Sequence, residues 1–208
     1  IYSTERRLSK WARGVIANSG AETHLDLSLE LMEALSDKDE PSEVVAIAVT
    51  PPDDLSRIEV KPNLLVVAFD RPSNPGNLGT ILRSVEAAGV GQVLITPGTV
   101  DATNPKVVRG AMGAHFRLAV EALDWPDVAE RVAGRAVWLA DADGGIAYDV
   151  VDWTLPSALI VGGEAAGTGK EAAALATGRV SIPMAGGAES LNAAMAATVL
   201  VFEAARQQ

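Results

Sequence analysis

The sequence predicts an α/β protein, a parallel sheet with helices on both faces. Three observations carry that reading. Short runs such as LLVVAF (64–69), QVLIT (92–96) and SALIVGG (157–163) are apolar almost without interruption, as strands covered on both faces are. Helix-length segments with apolar residues at i, i+3 and i+4 separate these runs. Glycine, proline and asparagine cluster where strand passes into helix.

Taken in order, RRLSKWARGVIANSG reads as a helix ending near Gly20, SLELMEALSD as a second helix and the β-branched EVVAIAV (43–49) as a strand. The prolines and charges of TPPDDLSRIEVKPN (50–63) mark a linker. The division expected is a first domain over 1–58 and a second over 62–208. In the second, LLVVAF is a buried strand and 77–88 a helix. QVLIT is a strand, and a short helix starts near Pro105. FRLAV is a short strand, WPDVAERVAG a helix, RAVWLAD (135–141) a strand and SALIVGG another. GTGKEAAALA is a helix, RVSIPM a strand, and SLNAAMAATVLVFEAARQ (190–207) a long final helix.

With 208 residues, 48% of them hydrophobic, a full core is possible and global disorder is excluded. The absence of cysteine excludes disulfides, thiolate zinc sites, iron–sulfur clusters and a thiol nucleophile. Only His24 and His115 are present, so no metal site is expected. No apolar run reaches the roughly 18–20 residues of a membrane span, and no secretory signal is visible. No membrane partner and a cytoplasmic location are expected. The sequence opens at Ile1 inside ordered-looking chain, so further residues are expected upstream. A net charge of −10 argues against nonspecific nucleic-acid binding. The first twenty residues nevertheless hold Arg6, Arg7, Lys10 and Arg13 against Glu5 alone. They are either a solvated helix face or a set of phosphate contacts. Trp125, Trp138 and Trp153 are read as packing residues, and Trp11 as a packing residue with base stacking as the alternative.

Nucleotide fingerprints fail. Gly89 and Gly91 give G-x-G, but Leu94 stands where a dinucleotide loop needs glycine. GGEAAGTGK lacks the P-loop spacing, and Glu171 follows Lys170 where a magnesium-binding hydroxyl belongs. Three other segments matter more: NPGNLGTILRSVEAAG (74–89), IVGGEAAGTG (160–169) and SIPMAGGAESLNAAMAATVLVFEAARQ (181–207). Each starts at the carboxyl end of a predicted strand, where open parallel sheets bind ligands. Each offers glycines together with polar groups: Asn74 and Arg83, then Glu164, then Ser190 with Asn192. Taken singly, the same residues serve equally as turn formers and helix caps.

In this order the three segments resemble motifs one, two and three of the SpoU (TrmH) branch of the SPOUT RNA methyltransferases. The resemblance covers about 62–208, and SIPMAGGAESLNAAMAA is its most specific part. Gly163 and Thr168 stand where members often have asparagine and leucine. Residues 1–58 resemble the latter part of an L30e-like α/β RNA-binding domain. RRLSKWAR followed by PSEVVAIAV is most similar to antibiotic-resistance-type ribosomal RNA methyltransferases of actinomycetes. The resemblance implies a C-terminal trefoil knot, bound S-adenosylmethionine, an RNA substrate (ribosomal RNA first, transfer RNA as the alternative) and a homodimer. It implies cofactor contacts from the backbone of Gly162, Ile182 and Leu191, with Leu139, Ala140, Gly163, Met184 and Asn192 beside them. It places Arg83, Asn74, Glu164, Ser190 and Asn192 in catalysis.

The chemistry constrains those roles. A ribose 2′-hydroxyl is a weak nucleophile that must lose its proton, and neither histidine lies in the three segments. Arg83 is left, either as the base that the resemblance implies or as a cation stabilising the developing alkoxide. A guanidinium's persistent charge fits the second role. Asn74 and Glu164 are expected to orient it. A catalytically silent RNA-binding protein of the same fold is the remaining alternative.

Overall fold

The structure is a computed structural model and describes residues 1–36, 40–49, 65–163 and 167–208. Contacts divide the chain into two units, Ile1–Thr50 and Pro51–Gln208. The predicted linker and both predicted domain limits, 58 and 62, lie outside the described residues.

In the first unit, α1 (Lys10–Asn18) starts where the Ser9 hydroxyl accepts the Ala12 N–H at 3.0 Å. The second helix, α2 (Leu29–Ser36), begins with the Glu5 carboxylate accepting the Leu29 N–H at 2.8 Å. Tyr2 makes isolated bridges to Asp26 and Val44. The strand expected over 43–49 does not form. Ile1 and Tyr2 pair with its main chain at Val45 and Val44, and past that point Ile47 is 87% and Val49 94% exposed. β-Branched residues favour a pleated surface, but a strand also needs a partner ladder. The packing role expected of Trp11 is also overturned, since its ring is 65% exposed on α1.

The second unit is built on seven strands, all parallel: β1 (Val66–Asp70), β2 (Gln92–Ile95), β3 (Ala119–Ala122), β4 (Ala136–Ala140), β5 (Ile146–Ala147), β6 (Ser157–Gly162) and β7 (Gly178–Ser181). Their order across the sheet is β3-β2-β1-β6-β4-β7-β5. Strand alternation sends Val67, Phe69, Val93 and Leu159 to one face. There they pack with α3 (Pro75–Ala87), α4 (Pro105–Ala111) and α7 (Ala193–Gln207). Val66, Ala68, Leu94 and Ile160 go to the other, under α5 (Trp125–Arg131) and α6 (Lys170–Leu175). Helices on both faces follow directly from strands apolar on both faces.

Ends shift for local reasons. Asn74 caps α3, so that helix starts at Pro75 rather than 77. Asn192 caps α7, so the final helix starts at Ala193 rather than Ser190. The short β5 was not anticipated, because two residues leave no periodic signal. Trp153 is fully buried, with its indole N–H on the Tyr148 carbonyl at 2.9 Å. Although β7 lies beyond β4, α7 packs on α3. Residues 182–192 therefore run back across the carboxyl edge of the sheet, a path that the implied trefoil knot fits.

Candidate active site

Parallel strands bring all their carboxyl ends to one edge. At that edge a cavity of about 560 Å³ opens beside β4, β6 and β7, at the start of α7. Each element contributes through its exit. Ala140 through Asp143 leave β4. Gly162 ends β6, and Gly163 after it bridges Gly167. Ile182 and Met184 follow β7, and Ser190, Leu191 and Asn192 lead into α7. The approach of Gly162 to Gly167 is tight, since a Cβ on Gly162 would come within 2.6 Å of the Gly167 carbonyl carbon. Only glycine permits that approach.

Among the described residues the lining holds the carboxylates of Asp141 and Asp143 and no lysine, arginine or histidine. The Asp143 N–H donates to Asp141 at 2.9 Å. That bond, with the Arg179 guanidinium paired to the same carboxylate, holds Asp141 below the usual carboxylate range. A wall with anionic and without cationic side chains suits a ligand carrying positive charge and disfavours a polyphosphate.

Of the expected cofactor contacts, Ala140, Gly162, Gly163, Ile182, Met184, Leu191 and Asn192 line this cavity. Leu139 does not: alternation along β4 sends its side chain into the core on the opposite face, fully buried. Ser190 lies in the lining, two residues ahead of the cap. Asn192 accepts the N–H groups of Ala194 and Met195 at 2.9 and 3.4 Å. Glu164 lies outside the described residues.

Asn74 and Arg83 are elsewhere. The Asn74 side-chain oxygen Oδ1 accepts the N–H groups of Gly76 and Asn77 at 2.8 and 3.4 Å and so caps α3. Residues 78, 81, 82 and 85 form the buried stripe of α3, and Arg83 falls on the ridge away from it with Gly76, Thr80 and Ala87, all exposed. Neither residue lines the cavity. Beside that ridge runs α7, fastened where the Thr198 and Ser84 hydroxyls lie 2.9 Å apart. The final helix divides its apolar stripe. Ala194, Ala197, Val201 and Ala204 are buried, while Leu191, Met195 and Phe202 are 38%, 53% and 47% exposed.

Sequence reasoning missed Asp141, Asp143 and the lining role of Gly167 and Thr168. The run DADGG after β4 was the available signal, because that strand ends on the same edge as the three segments that were singled out.

The profile of the SpoU rRNA Methylase family matches residues 64–202. A 23S rRNA (uridine(2479)-2′-O)-methyltransferase of Streptomyces viridochromogenes is 40% identical, over 100% of this chain and 75% of its own. The 23S rRNA (guanosine(2553)-2′-O)-methyltransferase RlmP of Bacillus subtilis is 32% identical, over 85% of this chain and 70% of its own. Among solved structures, the SpoU methyltransferase AviRb from Streptomyces viridochromogenes in complex with AdoMet superposes with a TM-score of 0.87. It is 39% identical, over 99% of this chain and 81% of that one.

Proposed function

Because the chain belongs to the SpoU rRNA methylase family, we propose that it methylates a ribose 2′-hydroxyl of ribosomal RNA, with S-adenosylmethionine as methyl donor. The observation that carries this reading is the cavity at the ends of β4, β6 and β7, whose lining matches the expected cofactor contacts and whose charged side chains are acidic. When bound, S-adenosylmethionine supplies an electrophilic methyl group on a sulfonium. The cavity fits that molecule, since its volume lies in the range of small-molecule sites. Backbone at Gly162, Gly163 and Gly167 allows close approach, and Ile182, Met184 and Leu191 offer apolar surface.

The residues of this chain then have to position the ribose hydroxyl and stabilise its loss of a proton. Arg83 is assigned to the alkoxide that forms as that proton passes to solvent water. A guanidinium stabilises negative charge without needing to lose its own proton. Glu164, Ser190 and Asn192 are assigned to orientation, Ser190 and Asn192 from the cavity wall. Asn74 contributes by fixing the start of α3. Arg83 stands on an exposed ridge beside the apolar stripe of Leu191, Met195 and Phe202, which supports a homodimer joined through α3 and α7. Arg83 then acts where two copies meet.

RNA contact falls to the first unit as well. Arg6 is tied to the Pro41 carbonyl and Arg13 to the Leu8 carbonyl. Arg7 and Lys10 are exposed, beside the exposed Trp11. A cation pair with an aromatic ring is the combination that holds phosphates and stacks a base. Ribosomal rather than transfer RNA is favoured by the substrates named for both relatives. Among the described residues no helix is long and apolar enough to cross a membrane, and no side-chain group could hold a metal. We place the protein in the cytoplasm with the RNA it modifies.

Calorimetric titration with S-adenosylmethionine and, separately, with NAD tests the cofactor. Binding of the first and not the second is expected, and the reverse would overturn the reading. Nucleoside analysis of treated ribosomal RNA separates an enzyme from a silent binder, the enzyme leaving a 2′-O-methylated nucleoside.

A further inference from the structure

Asp70 is a carboxylate with 1% exposure at the carboxyl end of β1. It is outside the cavity lining and outside the residues assigned to catalysis. Both of its oxygens are engaged. Oδ2 accepts the Gly169 N–H at 2.6 Å and an Arg71 Nη2–H at 3.3 Å. Oδ1 accepts from Arg71 Nε at 2.9 Å and the Thr96 hydroxyl at 3.3 Å. The Asp70 main-chain oxygen accepts the Gly163 N–H at 2.8 Å. One residue therefore holds both Gly163 and Gly169, and Gly163, Gly167 and Thr168 wall the cavity. Arg71 holds a left-handed backbone, φ 57°, which is uncommon for a residue with a side chain. That turn brings the Arg71 guanidinium back onto the Asp70 carboxylate and sets the Arg71 carbonyl against Gly163, where a Cβ would come within 2.7 Å.

We propose that Asp70 is a positioning residue for the cofactor: by holding Gly163 and Gly169 it fixes the part of the cavity wall formed by Gly163, Gly167 and Thr168. The proposal rests on the S-adenosylmethionine reading above. A carboxylate presents two acceptor oxygens and an amide only one. Asn at 70 must therefore turn its NH₂ toward either Gly169 N–H or Arg71 Nε–H, and one contact is lost. Loss of a hydrogen bond to a charged acceptor is worth about tenfold or more in an equilibrium constant.

The experiment compares three variants by calorimetry with S-adenosylmethionine, at a temperature where circular dichroism shows native protein. Asp70→Asn removes one acceptor. Gly169→Ala approaches from the other side, since its Cβ would lie 3.2 Å from Asp70 Oδ2 and 3.0 Å from Arg71 Nη2. It leaves the buried carboxylate in place and decides the matter if Asp70→Asn does not fold. Glu121→Gln alters another buried carboxylate of the same sheet, bound to Gln92 and Arg131 at 2.7 and 2.6 Å and remote from Gly163 and Gly169. The expected result is a dissociation constant raised about tenfold in Asp70→Asn, raised less in Gly169→Ala and unchanged in Glu121→Gln. In methyl transfer, KM for the cofactor should rise more than kcat falls. Wild-type affinity in both Asp70→Asn and Gly169→Ala, or equal weakening in all three, would overturn the proposal. Absence of binding by the wild type would instead overturn the cofactor reading itself.

Discussion

Gly79 of α3 and Gly110 of α4 meet backbone to backbone. A Cβ on Gly79 would lie 2.8 Å from the Val107 carbonyl oxygen and 2.9 Å from the Gly110 Cα. This contact fixes α3, the helix that carries Arg83 one turn further on, against its neighbour. Gly79→Ala should cost about 1–3 kcal/mol through overpacking, despite alanine's better helix propensity. Urea denaturation measures it, and a stabilised variant would mean that the helices can move apart without penalty.

The cavity can be filled from α7. Ala196 lines it from a helical position. Ala196→Phe should lower S-adenosylmethionine affinity at least about tenfold while the helical signal is retained, as for occluding a preformed pocket. Calorimetry reads the result, and an unchanged affinity would move the cofactor elsewhere.

The proposed homodimer rests on the exposed stripe of α7. Met195→Glu and Phe202→Glu each place a charge on a surface expected to be buried between two copies. Light scattering at micromolar concentration should give twice the 21.6 kDa chain mass for the wild type and the single-chain mass for the double variant. A wild-type monomer would contradict the arrangement.

The end of α7 predicts a response to acid. Bonds from Arg206, and then from the Gln207 amide, lower the Glu203 carboxyl from its ordinary 4.5 to about 2. A depressed carboxyl stabilises the fold fully above its unfolded pKa, and that contribution is lost as pH falls from 4.5 toward 2. Gln207 also accepts the Trp153 N–H at 2.9 Å and donates to the Val151 carbonyl at 3.1 Å, so the loss loosens the last turn. Melting temperature against pH should fall less steeply across that window in Glu203→Gln than in the wild type. Identical slopes would remove Glu203 from acid stability.

The parallel sheet was legible because its strands are apolar on both faces, and most of the cavity was legible because its segments follow those strands. Other features were not, for physical reasons. The side an individual strand residue faces depends on register, so neither the core-facing side chain of Leu139 nor the lining role of the DADGG run left a local signal. EVVAIAV has the composition of a strand, yet pairing is a long-range property that no local run contains. Arg83 stood out as a charge beside apolar residues. Its helical phase shows that it points away from them, onto the exposed ridge of α3. The hold of Asp70 on Gly169 spans 99 positions and leaves no local trace.

Arg83 gives the most direct test. Single-turnover methyl transfer from S-adenosylmethionine to ribosomal RNA should fall about 10²–10³-fold in Arg83→Ala, the usual cost of removing a preorganised electrostatic group. Fold, dimer and most cofactor affinity should persist. Arg83→Lys should recover part of the rate if charge is what matters, because lysine keeps the cation and loses the planar fork. An Arg83→Ala variant that methylates ribose at a near wild-type single-turnover rate would contradict the account.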